Sequence, residues 1–599
     1  MRIRTLEIKN FRSIVDSGTV PVSNLFALVG ENNAGKSNIL TAIGAFLSGG
    51  AGGVKEEDFF DSSKPITIKI VFEDLNDFEA KRWKKYLVAG RLILEKRIWL
   101  EMDDKSGSFR IKSEYHGYEA RPKDWFLSID AIIEKEGQRP KWKDIVNNNN
   151  LPEYFIENEK CNKTIYARAL ERYLEENEVD FEEPDLSKTH ALGLQSKVIA
   201  SLPAFYLLPA ITDYSDEIDK RQKSSTFRKL MGELSERILK NDPRIGEVNE
   251  AIIKIHSLLN DITGDGSGKR LDALGKIEEQ IGALLKELMP SVSSIKLAVR
   301  VDELKDLFSG GVALSVDDGV ETDVLAKGHG LQRCIVFSLL RTLIDTERLS
   351  EEEQGSKRSI ILGIEEPELY IHPQLCKLFY DVMRAFGDTD QIIYTTHSPI
   401  FIDAYNYQEV GIVRKPNVEE GTQIRTAPTG IFDDLDDRKV FKGLARFNPA
   451  VNELFFAKSV LIVEGPEDLI AITETLKKLG IIRVRIEELE CTVLVAGGKQ
   501  AIPFFQRVMN AFDLQYKVLH DIDIIDGMSR NDRETNQKTN DLIRELAGDR
   551  EVHTFPHKLE TTVGVDGHLR DQYKATQYFS DANNITSEIE EIVKKIFDA

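Results

Sequence analysis

The segment LFALVGENNAGKSNILTAIGAF (residues 25–46) decides the fold of the chain around it. Residues 25–29 form a short apolar run that is typical of a buried strand, and residues 38–46 have the apolar spacing of a helix. Between them, residues 30–37 fit the pattern G-x-x-x-x-G-K-[ST]. The segment therefore predicts a strand, a phosphate-binding loop and a helix, in that order.

The residue types of this loop suit a bound polyphosphate. Gly30 and Gly35 allow consecutive backbone N–H groups to wrap the phosphates. Lys36 would reach the β- and γ-phosphates, and Ser37 would hold Mg²⁺ at the N-terminus of the helix. We expect the loop, including Asn33, to bind ATP. An ordinary glycine-rich turn is the alternative.

Length and composition narrow the class of protein. A chain of 599 residues is too long for one hydrophobic core, so two or three domains are expected. A formal net charge of −21 argues against bulk attraction to nucleic acid or to an anionic membrane, although a local basic groove is compatible with it. The cysteines form no C-x-x-C pair, so neither a zinc site nor a disulfide framework is predicted. We expect a cytoplasmic protein without a signal peptide or a membrane span.

Alternating apolar residues predict half-buried strands at residues 3–8 and 66–72. Asp58, between these strands, is either a surface acid or a polar contact to a metal-bound nucleotide. Residues 205–210 (FYLLPA) predict a further buried strand.

Charged side chains follow two later strands. Residues 360–364 (IILGI) lead to Glu365 and Glu366, and residues 391–394 lead towards His397. The carboxyl ends of parallel strands are where the Mg²⁺ of a nucleotide and its attacking water must lie. Glu365 would bind the metal through water, Glu366 would orient or deprotonate the nucleophile, and His397 would reach the γ-phosphate.

A glycine pair, Gly328 and Gly330 in KGHGLQR (327–333), leads directly into an amphipathic helix whose N-terminus can face phosphate. Two similar segments are less suitable. GSGK at 266–269 lacks a Ser or Thr after its lysine and is interpreted as a turn between helices, and FSGGV at 308–312 precedes a strand-like run.

The order of five motifs, NFRS, GENNAGKS, KGHGLQR, IEEPELYIHP and TTHSP, resembles the ATP-binding-cassette ATPases of the SMC, Rad50 and RecF group. The resemblance covers about residues 1–445 and implies an α/β ATPase with residues 216–290 as an inserted helical arm. It also implies that Arg12 contacts the nucleotide, and that Gly328 and Gly330 close on ATP bound to another subunit.

The sequence departs from that group at two positions. Lys327 stands where a serine is usual in the signature, and Glu365 replaces the usual metal-binding aspartate. Both differences put efficient ATP turnover in question.

A second set of strands carries acids or glycines at its ends. These predicted strands are 459–463 before Glu464, Gly465 and Asp468; 493–496 before Gly497 to Lys499; and 517–519 before Asp521 and Asp523. Three such strand ends predict an α/β domain with its site at the carboxyl edge of a sheet. Carboxylates two residues apart at a strand end project to the same side, as Mg²⁺ coordination requires.

The motifs VEGPED and D-x-D resemble the Toprim domain of topoisomerases, primases and some nucleases, over about residues 455–599. A Toprim domain behind such an ATPase is similar to the OLD (overcoming lysogenization defect) family, which includes the nuclease subunit of the Gabija antiphage system. The resemblance implies these roles: Glu464, Asp468, Asp521 and Asp523 hold two divalent metals, Glu560 is a later catalytic acid, and Lys574 is the catalytic lysine. For the last two, a surface charge is the alternative.

Together these features predict a DNA endonuclease that binds ATP and depends on Mg²⁺, with Mn²⁺ or Ca²⁺ as alternatives. Two metals can activate water and stabilise the leaving 3′ oxygen of a phosphodiester. No module offers the nucleophilic tyrosine that a topoisomerase needs, and a primase-like polymerase lacks a further nucleotidyl-transfer element. The alternative function is a RecF-like or SMC-like DNA-repair clamp with a non-catalytic Toprim domain. The resemblance further implies a role in antiphage defence or DNA processing. A helicase-like partner protein is compatible with it.

Residues 216–290 predict helices with more apolar residues at helical spacing than a solvated hairpin needs. We expect at least a homodimer that covers this stripe, because a symmetric pair is the commonest way to do so. The alternative is an arm folded back on its own ATPase lobe.

Overall fold

A computed structural model gives the fold. It describes residues 1–210, 243–260, 271–288, 296–297, 314–342 and 359–598, except for gaps at 103–108, 120–121, 138, 158–159, 178, 181, 183–184, 188–190, 192–194, 333, 336, 340–341, 429, 433–434, 448, 526, 566–568 and 570–571. The chain divides into two compact units: Met1–Phe205 with Ile361–Gly363 and Lys377–Ala599, and Tyr206–Ile360 with Ile364–Cys376. None of the described helices combines the length and the apolar character that a membrane crossing requires. The domain boundaries predicted at 1–445 and 455–599 stay a prediction.

The described strands are β1 (Arg2–Phe11), β2 (Ile14–Asp16), β3 (Val20–Pro21), β4 (Leu25–Gly30), β5 (Ile66–Glu73), β6 (Leu87–Val88), β7 (Arg91–Met102), β8 (Phe109–Glu119), β9 (Asp185–Leu186), β10 (Ala204–Leu208), β11 (Ser315–Asp317), β12 (Glu321–Asp323), β13 (Ile360–Glu365), β14 (Gln391–Thr396), β15 (Val410–Arg414), β16 (Gln423–Thr426), β17 (Ser459–Val463), β18 (Cys491–Val495), β19 (Tyr516–Asp521) and β20 (Val552–Phe555). The described α-helices are α1 (Lys36–Leu47), α2 (Asp77–Trp83), α3 (Ile129–Glu136), α4 (Trp142–Asn148), α5 (Lys163–Glu176), α6 (Gln195–Ile199), α7 (Ile245–Asn260), α8 (Asp272–Leu288), α9 (Pro373–Gly387), α10 (Leu435–Phe447), α11 (Pro466–Lys478), α12 (Ile502–Ala511), α13 (Arg530–Ala547), α14 (Leu559–Thr562), α15 (Gln572–Phe579) and α16 (Ser587–Phe597).

The first unit begins with an antiparallel sheet. Its strands run in the order β2-β1-β5-β7-β8-β9, with β3 beside β1 and β6 beside β7. The four inward-facing residues of β5, from Ile66 to Phe72, are fully buried, and those between them are half-buried. This alternation, with one face of the sheet on the core, is the pattern from which the strands at 3–8 and 66–72 were predicted, and both strands are confirmed.

The phosphate-binding loop follows the central strand of a second sheet. β4 lies between β14 and β15 and runs parallel to both, and β16 pairs antiparallel with β15. β13 lies on the far side of β14. The first five residues of β4 are all buried, because a parallel strand is covered on both faces, and this explains its continuous apolar run.

The C-terminus of α1 is capped from the antiparallel sheet. Lys96 on β7 donates hydrogen bonds to the carbonyl oxygens of Ala45 (2.6 Å) and Ser48 (2.8 Å). The Tyr115 hydroxyl on β8 donates to the carbonyls of Phe46 and Ser48. Lys96 is completely buried, and burial lowers its pKa to about 7. These two side chains satisfy carbonyls that a helix end leaves unpaired, and they fix the helix that carries the loop.

The C-terminal part of the first unit contains a sheet of parallel strands in the order β18-β17-β19-β20. Helices α11, α15 and α16 share a hydrophobic core with β17, and α12 packs against α13. The predicted strand 459–463 is confirmed with its bounds, whereas β18 begins two residues earlier than predicted and β19 ends two residues later. Because the strands are parallel, their carboxyl ends lie along one edge.

The second unit contains the β11–β12 hairpin and the two long helices α7 and α8. α7 has no buried residue, and its apolar side chains Val248, Ile253 and Ile255 are exposed. The helices predicted in the arm are therefore present within 245–288. The rest of the predicted arm, the GSGK segment and the FSGGV segment lie outside the described residues.

Candidate functional site

Lys36 and His397 lie in contact at the phosphate-binding loop. The Lys36 ammonium donates to the carbonyl oxygens of Gly30 (3.0 Å) and Glu31 (2.9 Å), and it lies 2.9 Å from Nε2 of His397. The structure thus brings together two residues that the sequence assigned to the phosphates of ATP. Ser37 and Asn33, from the same loop, are both exposed.

Two glycines of the loop are required by close packing. At Gly30, a Cβ atom would lie 2.1 Å from the carbonyl oxygen of Val413. Gly35 has a φ of 104°, and a Cβ there would lie 2.3 Å from Oγ1 of Thr422. A side chain at either position would push the loop away from Val413 or Thr422, so glycine is needed for the fold as well as for access of phosphate to the backbone.

Arg12 is held over the start of α1 by a buried acid. Its guanidinium donates from Nε to Oδ1 of Asp58 (2.7 Å) and from Nη1 to Oδ1 of Asn38 (3.2 Å). Asp58 is only 6% exposed and also accepts from the backbone N–H of Lys55. The interpretation of Asp58 as a surface acid is therefore wrong, because this carboxylate positions Arg12.

The acids after β13 belong to the second unit. Oε2 of Glu365 accepts a hydrogen bond from the backbone N–H of Ala210 (3.0 Å). Glu366 has a φ of 44°, in the left-handed region that non-glycine residues seldom adopt. This conformation turns the chain sharply at the end of β13, and strain of this kind is concentrated at functional sites.

The glycine pair of KGHGLQR has two different environments. A Cβ on Gly330 would lie 2.4 Å from the carbonyl oxygen of Tyr370, whereas a Cβ on Gly328 would meet none of the described residues within 4 Å. Lys327, which replaces the usual serine, pairs with Asp318 and donates to the carbonyl of Val320 (2.8 Å). Gly330 is thus needed for packing within this chain, whereas the described residues leave space around Gly328.

Carboxylates converge at the carboxyl edge of the β18-β17-β19-β20 sheet. Glu464 follows β17, Asp521 ends β19, and Glu560 lies in α14 after β20. The backbone N–H of Asp521 donates to Oε2 of Glu464 at 3.4 Å. Asp468 lies in the first turn of α11, where its Oδ2 accepts from the N–H of Gly465 (2.8 Å). The structure therefore gathers the acids that the sequence predicted from separate strand ends.

Burial and mutual repulsion make these carboxylates hard to ionise. Burial, followed by the charges of Glu464, Asp523 and Glu560, raises the pKa of Asp521 to about 8. Burial and Asp523 raise the pKa of Glu464, and burial and Asp521 raise that of Asp468 well above its ordinary value. Acids that repel one another in a buried place are stabilised by a cation between them.

The last predicted ligand, Asp523, is placed by the chain beyond the strand. β19 ends at Asp521, and Asp523 has a left-handed φ of 55°, so strand alternation does not fix where its side chain points. Oδ2 of Asp523 lies 3.0 Å from the ammonium of Lys499, and Oδ1 lies 3.7 Å from that of Lys558. Lys499 follows β18 at the edge where the sequence predicted the site, but the sequence assigned no role to Lys499 or to Lys558.

The donor set fits a divalent cation, although it is not arranged as a finished metal shell. All its members offer the carboxylate oxygens that Mg²⁺ and Mn²⁺ prefer, and burial together with repulsion between the acids raises the pKa values of Glu464 and Asp521. Among the described residues, no three His, Cys, Asp or Glu side chains already stand in metal-binding geometry. Asp521 and Asp523 instead contact the N–H of Leu559 (3.1 Å) and the two lysines. Metal binding therefore requires side chains to turn.

Lys574 is not brought into contact with these acids. It is exposed on α15, and its side chain has no hydrogen bond or ion pair within the described ranges. Its helix packs against α11, which carries Asp468. The role of Lys574 stays a prediction.

Comparison with known proteins gives the family of the chain. Residues 1–402, more than half of the chain, match the AAA ATPase domain family. The chain belongs to this family. Behind the AAA ATPase domain, residues 455–523 match the TOPRIM domain of overcoming lysogenization defect protein-like sequences. The prediction of an OLD-type ATPase with a Toprim domain is confirmed, as is its mixed α/β fold. The two domains indicate the use of a nucleotide and of a divalent metal.

Two relatives align with most of this AAA ATPase. The OLD nuclease of Thermus scotoductus is 25% identical over 588 residues, which cover 95% of this chain and 93% of that protein. The Old nuclease of Escherichia phage P2 is 22% identical over 537 residues, covering 88% and 78%. A solved SMC head bound to the C-winged helix domain of ScpA has 13% identity and a TM-score of 0.34, and the match covers 72% of this chain and 99% of that one.

Proposed function

We propose that this protein is an ATP-binding, divalent-metal-dependent DNA endonuclease, and that its TOPRIM site hydrolyses phosphodiester bonds. The observation that carries the proposal is the convergence of Glu464, Asp521 and Glu560 at the carboxyl edge of one parallel sheet, where burial and the neighbouring acids raise the pKa of Asp521. The two relatives that align with most of its length are nucleases.

In this proposal the acids of the TOPRIM site hold Mg²⁺, or Mn²⁺ or Ca²⁺ in its place. These acids are Glu464, Asp468, Asp521 and Asp523. Divalent cations bound there supply an activated water and offset charge on the leaving 3′ oxygen. Glu560 supplies a further carboxylate beside Asp521. Lys574 neutralises charge on the scissile phosphate when DNA is bound.

The phosphate-binding loop binds ATP in the same proposal. Lys36 leaves the carbonyls of Gly30 and Glu31 for the β- and γ-phosphates, and Ser37 binds Mg²⁺. The guanidinium of Arg12, already oriented by Asp58, contacts the nucleotide. His397 reaches the γ-phosphate, Glu365 binds the metal through water, and Glu366 orients the attacking water.

We propose that two copies of the chain act together on DNA. The described residues leave space around Gly328, and with Gly330 it would complete the nucleotide site of a second copy. The exposed apolar side chains of α7 give a second reason, because a stripe of this kind is normally covered. A role in antiphage defence and a helicase-like partner are expectations from the resemblance to the OLD family.

Plasmid cleavage tests the proposal. The full chain is incubated with supercoiled plasmid and Mg²⁺ or Mn²⁺, with and without ATP, beside Asp521→Ala and the exposed-acid control Asp549→Ala. We expect nicking by the wild type and by Asp549→Ala, and none by Asp521→Ala, which should still bind ATP. Nicking by Asp521→Ala at the wild-type rate would disprove the role of this residue. ATP-dependent DNA binding without any cleavage would favour the clamp function instead.

A further inference from the structure

The loop that carries Lys499 is fixed to the TOPRIM acids. The backbone N–H groups of Gly497 (3.0 Å) and Gly498 (2.9 Å) both donate to the carbonyl oxygen of Glu464. Gly498 has a φ of 132°, which favours glycine, and it directly precedes Lys499. The position of Lys499 is therefore set by the same residue that begins the acid group.

Lys499 uses every hydrogen of its ammonium on the segment from Asp521 to Asp523. The ammonium lies 3.2 Å from the carbonyl oxygen of Asp521, 3.1 Å from that of Ile522 and 3.0 Å from Oδ2 of Asp523. The Lys499 side chain is 4% exposed and that of Asp523 is 19% exposed. An ammonium has three donors, so this one is fully satisfied by three acceptors in a largely buried place.

The backbone of Asp523 is held in the same arrangement. Its N–H donates to the carbonyl oxygen of His557 (3.0 Å), and its own carbonyl accepts from Nδ2 of Asn536 on α13 (2.8 Å). The carbonyl of Ile522 accepts from Nδ2 of Asn540, one turn further along α13. These contacts keep Asp523 in its left-handed conformation, with its carboxylate towards the lysines.

The charge of the acid group is consequently balanced unevenly. Asp523 has Lys499 and, at 3.7 Å, Lys558 as counter-charges. Glu464 and Asp521 form no ion pair with a lysine or arginine in the part of the chain that the structure describes, although the charge of Lys499 also lowers the pKa of Glu464. Burial, followed by the charge of Glu464, raises the pKa of Asp521. A cation that enters the group is attracted to these unbalanced acids before it is attracted to Asp523.

We infer that Lys499 is a built-in counter-ion that withholds Asp523 from divalent cations, so that the TOPRIM site fills one metal position tightly and the second weakly. The inference rests on the proposed function and adds a form of regulation to it. A divalent cation at Asp523 must displace the ammonium or lie beside it, and either costs affinity through loss of the ion pair or repulsion. If Lys499 were only a scaffold, its removal would loosen Asp523 and weaken metal binding. If it is a counter-ion, removal of its charge strengthens binding.

Titration of the metal-stripped full chain with Mn²⁺, followed by the electron paramagnetic resonance signal of free Mn²⁺, tests the inference. Nucleotide is left out, so that the phosphate-binding loop contributes no ion. Lys499→Met removes the charge at nearly the same length, and Lys499→Arg keeps the charge. We expect a tight and a weak ion in the wild type, a second ion that binds at least about tenfold more tightly in Lys499→Met, and no tightening in Lys499→Arg.

A second variant guards against loss of structure, because Lys499→Met also removes two hydrogen bonds to carbonyls. Lys558 contacts Asp523 at 3.7 Å, so Lys558→Met should tighten the second ion by a smaller factor, about two- to threefold. A second ion that is unchanged or weaker in both variants would overturn the inference and leave the proposed function intact. A wild type that binds no Mn²⁺ at the TOPRIM acids would overturn both the inference and the proposed function.

Discussion

Replacing Asp521 by asparagine should stabilise the metal-free protein at neutral and alkaline pH. The change keeps the shape of the side chain and removes a charge that the folded site does not balance. Burial and the neighbouring acids raise the pKa of Asp521 from 3.8 to about 8. The folded protein therefore binds a proton at this position that the unfolded chain has released, and the stability of the wild type falls as the pH rises from about 4 to about 8.

The size of the effect follows from the shift in pKa. Each pH unit between the two pKa values is worth about 1.4 kcal/mol, so the three units between about pH 5 and about pH 8 correspond to about 4 kcal/mol. The asparagine side chain does not ionise at any pH, so this loss is absent in Asp521→Asn. Glu464 and Asp468 also have raised pKa values, so the stability of the variant still falls as the pH rises. It falls less steeply than that of the wild type, because one repelling charge is gone.

Differential scanning calorimetry in EDTA across this pH range measures the difference. The transition that excess Mn²⁺ raises in the wild type identifies the unfolding of the TOPRIM domain. We expect the free energy of unfolding of Asp521→Asn, relative to that of the wild type, to rise by up to about 4 kcal/mol between pH 5 and 8. The variant should also lose most of its response to Mn²⁺ and cleave no plasmid. The exposed acid Asp549, replaced by asparagine, is the control and should leave the profile unchanged. Parallel profiles of wild type and Asp521→Asn would refute the reasoning.

Three further predictions concern the ATPase part and the arm. Lys36→Ala should abolish nucleotide binding in a fluorescent-nucleotide titration, whereas Glu366→Gln should bind ATP and hydrolyse it at least about tenfold more slowly; equal loss of binding in both would contradict their separate roles. Lys96→Met should lower the free energy of unfolding by about 1–3 kcal/mol in denaturant titrations, because the carbonyl of Ala45 loses the donor that Lys96 supplies and that of Ser48 keeps only Tyr115; unchanged stability would show that water replaces the cap. Replacing residues 216–290 by a short Gly/Ser linker should convert a dimer into a monomer in light scattering, and an unchanged oligomer would rule out the arm as the contact.

The parts of the fold that were predictable carry local signals. The loop at residues 30–37 needs glycines where the backbone approaches Val413 and Thr422, and that need leaves a fixed spacing in the sequence. β17 could be predicted to the residue, because a parallel strand covered on both faces is a continuous apolar run with sharp ends. Acids directly after such strands then share an edge, and this is why Glu464 and Asp521 could be brought together from the sequence alone.

The parts that were missed depend on contacts between distant residues. Asp58 sits in an acidic stretch that suggests a surface loop, and only its pairing with Arg12, 46 residues away, buries it. Lys96 reaches Ala45 across 51 residues, and nothing in β7 distinguishes this lysine from those that face solvent. Strand periodicity predicts which face a side chain takes, and it does not predict a partner on another element.

Lys96 and Lys499 are both buried lysines whose ammonium groups donate to the backbone, and the nature of their acceptors separates their roles. The acceptors of Lys96 are neutral carbonyls at a helix end, so this lysine serves the fold. One acceptor of Lys499 is the carboxylate of Asp523, which a divalent cation would also bind. A methionine could fill the space of either side chain, but only at Lys499 would the loss of charge free a ligand. The charge of Lys499 therefore acts on the occupancy of the site, and the same measurement on Lys96→Met should leave Mn²⁺ binding unchanged.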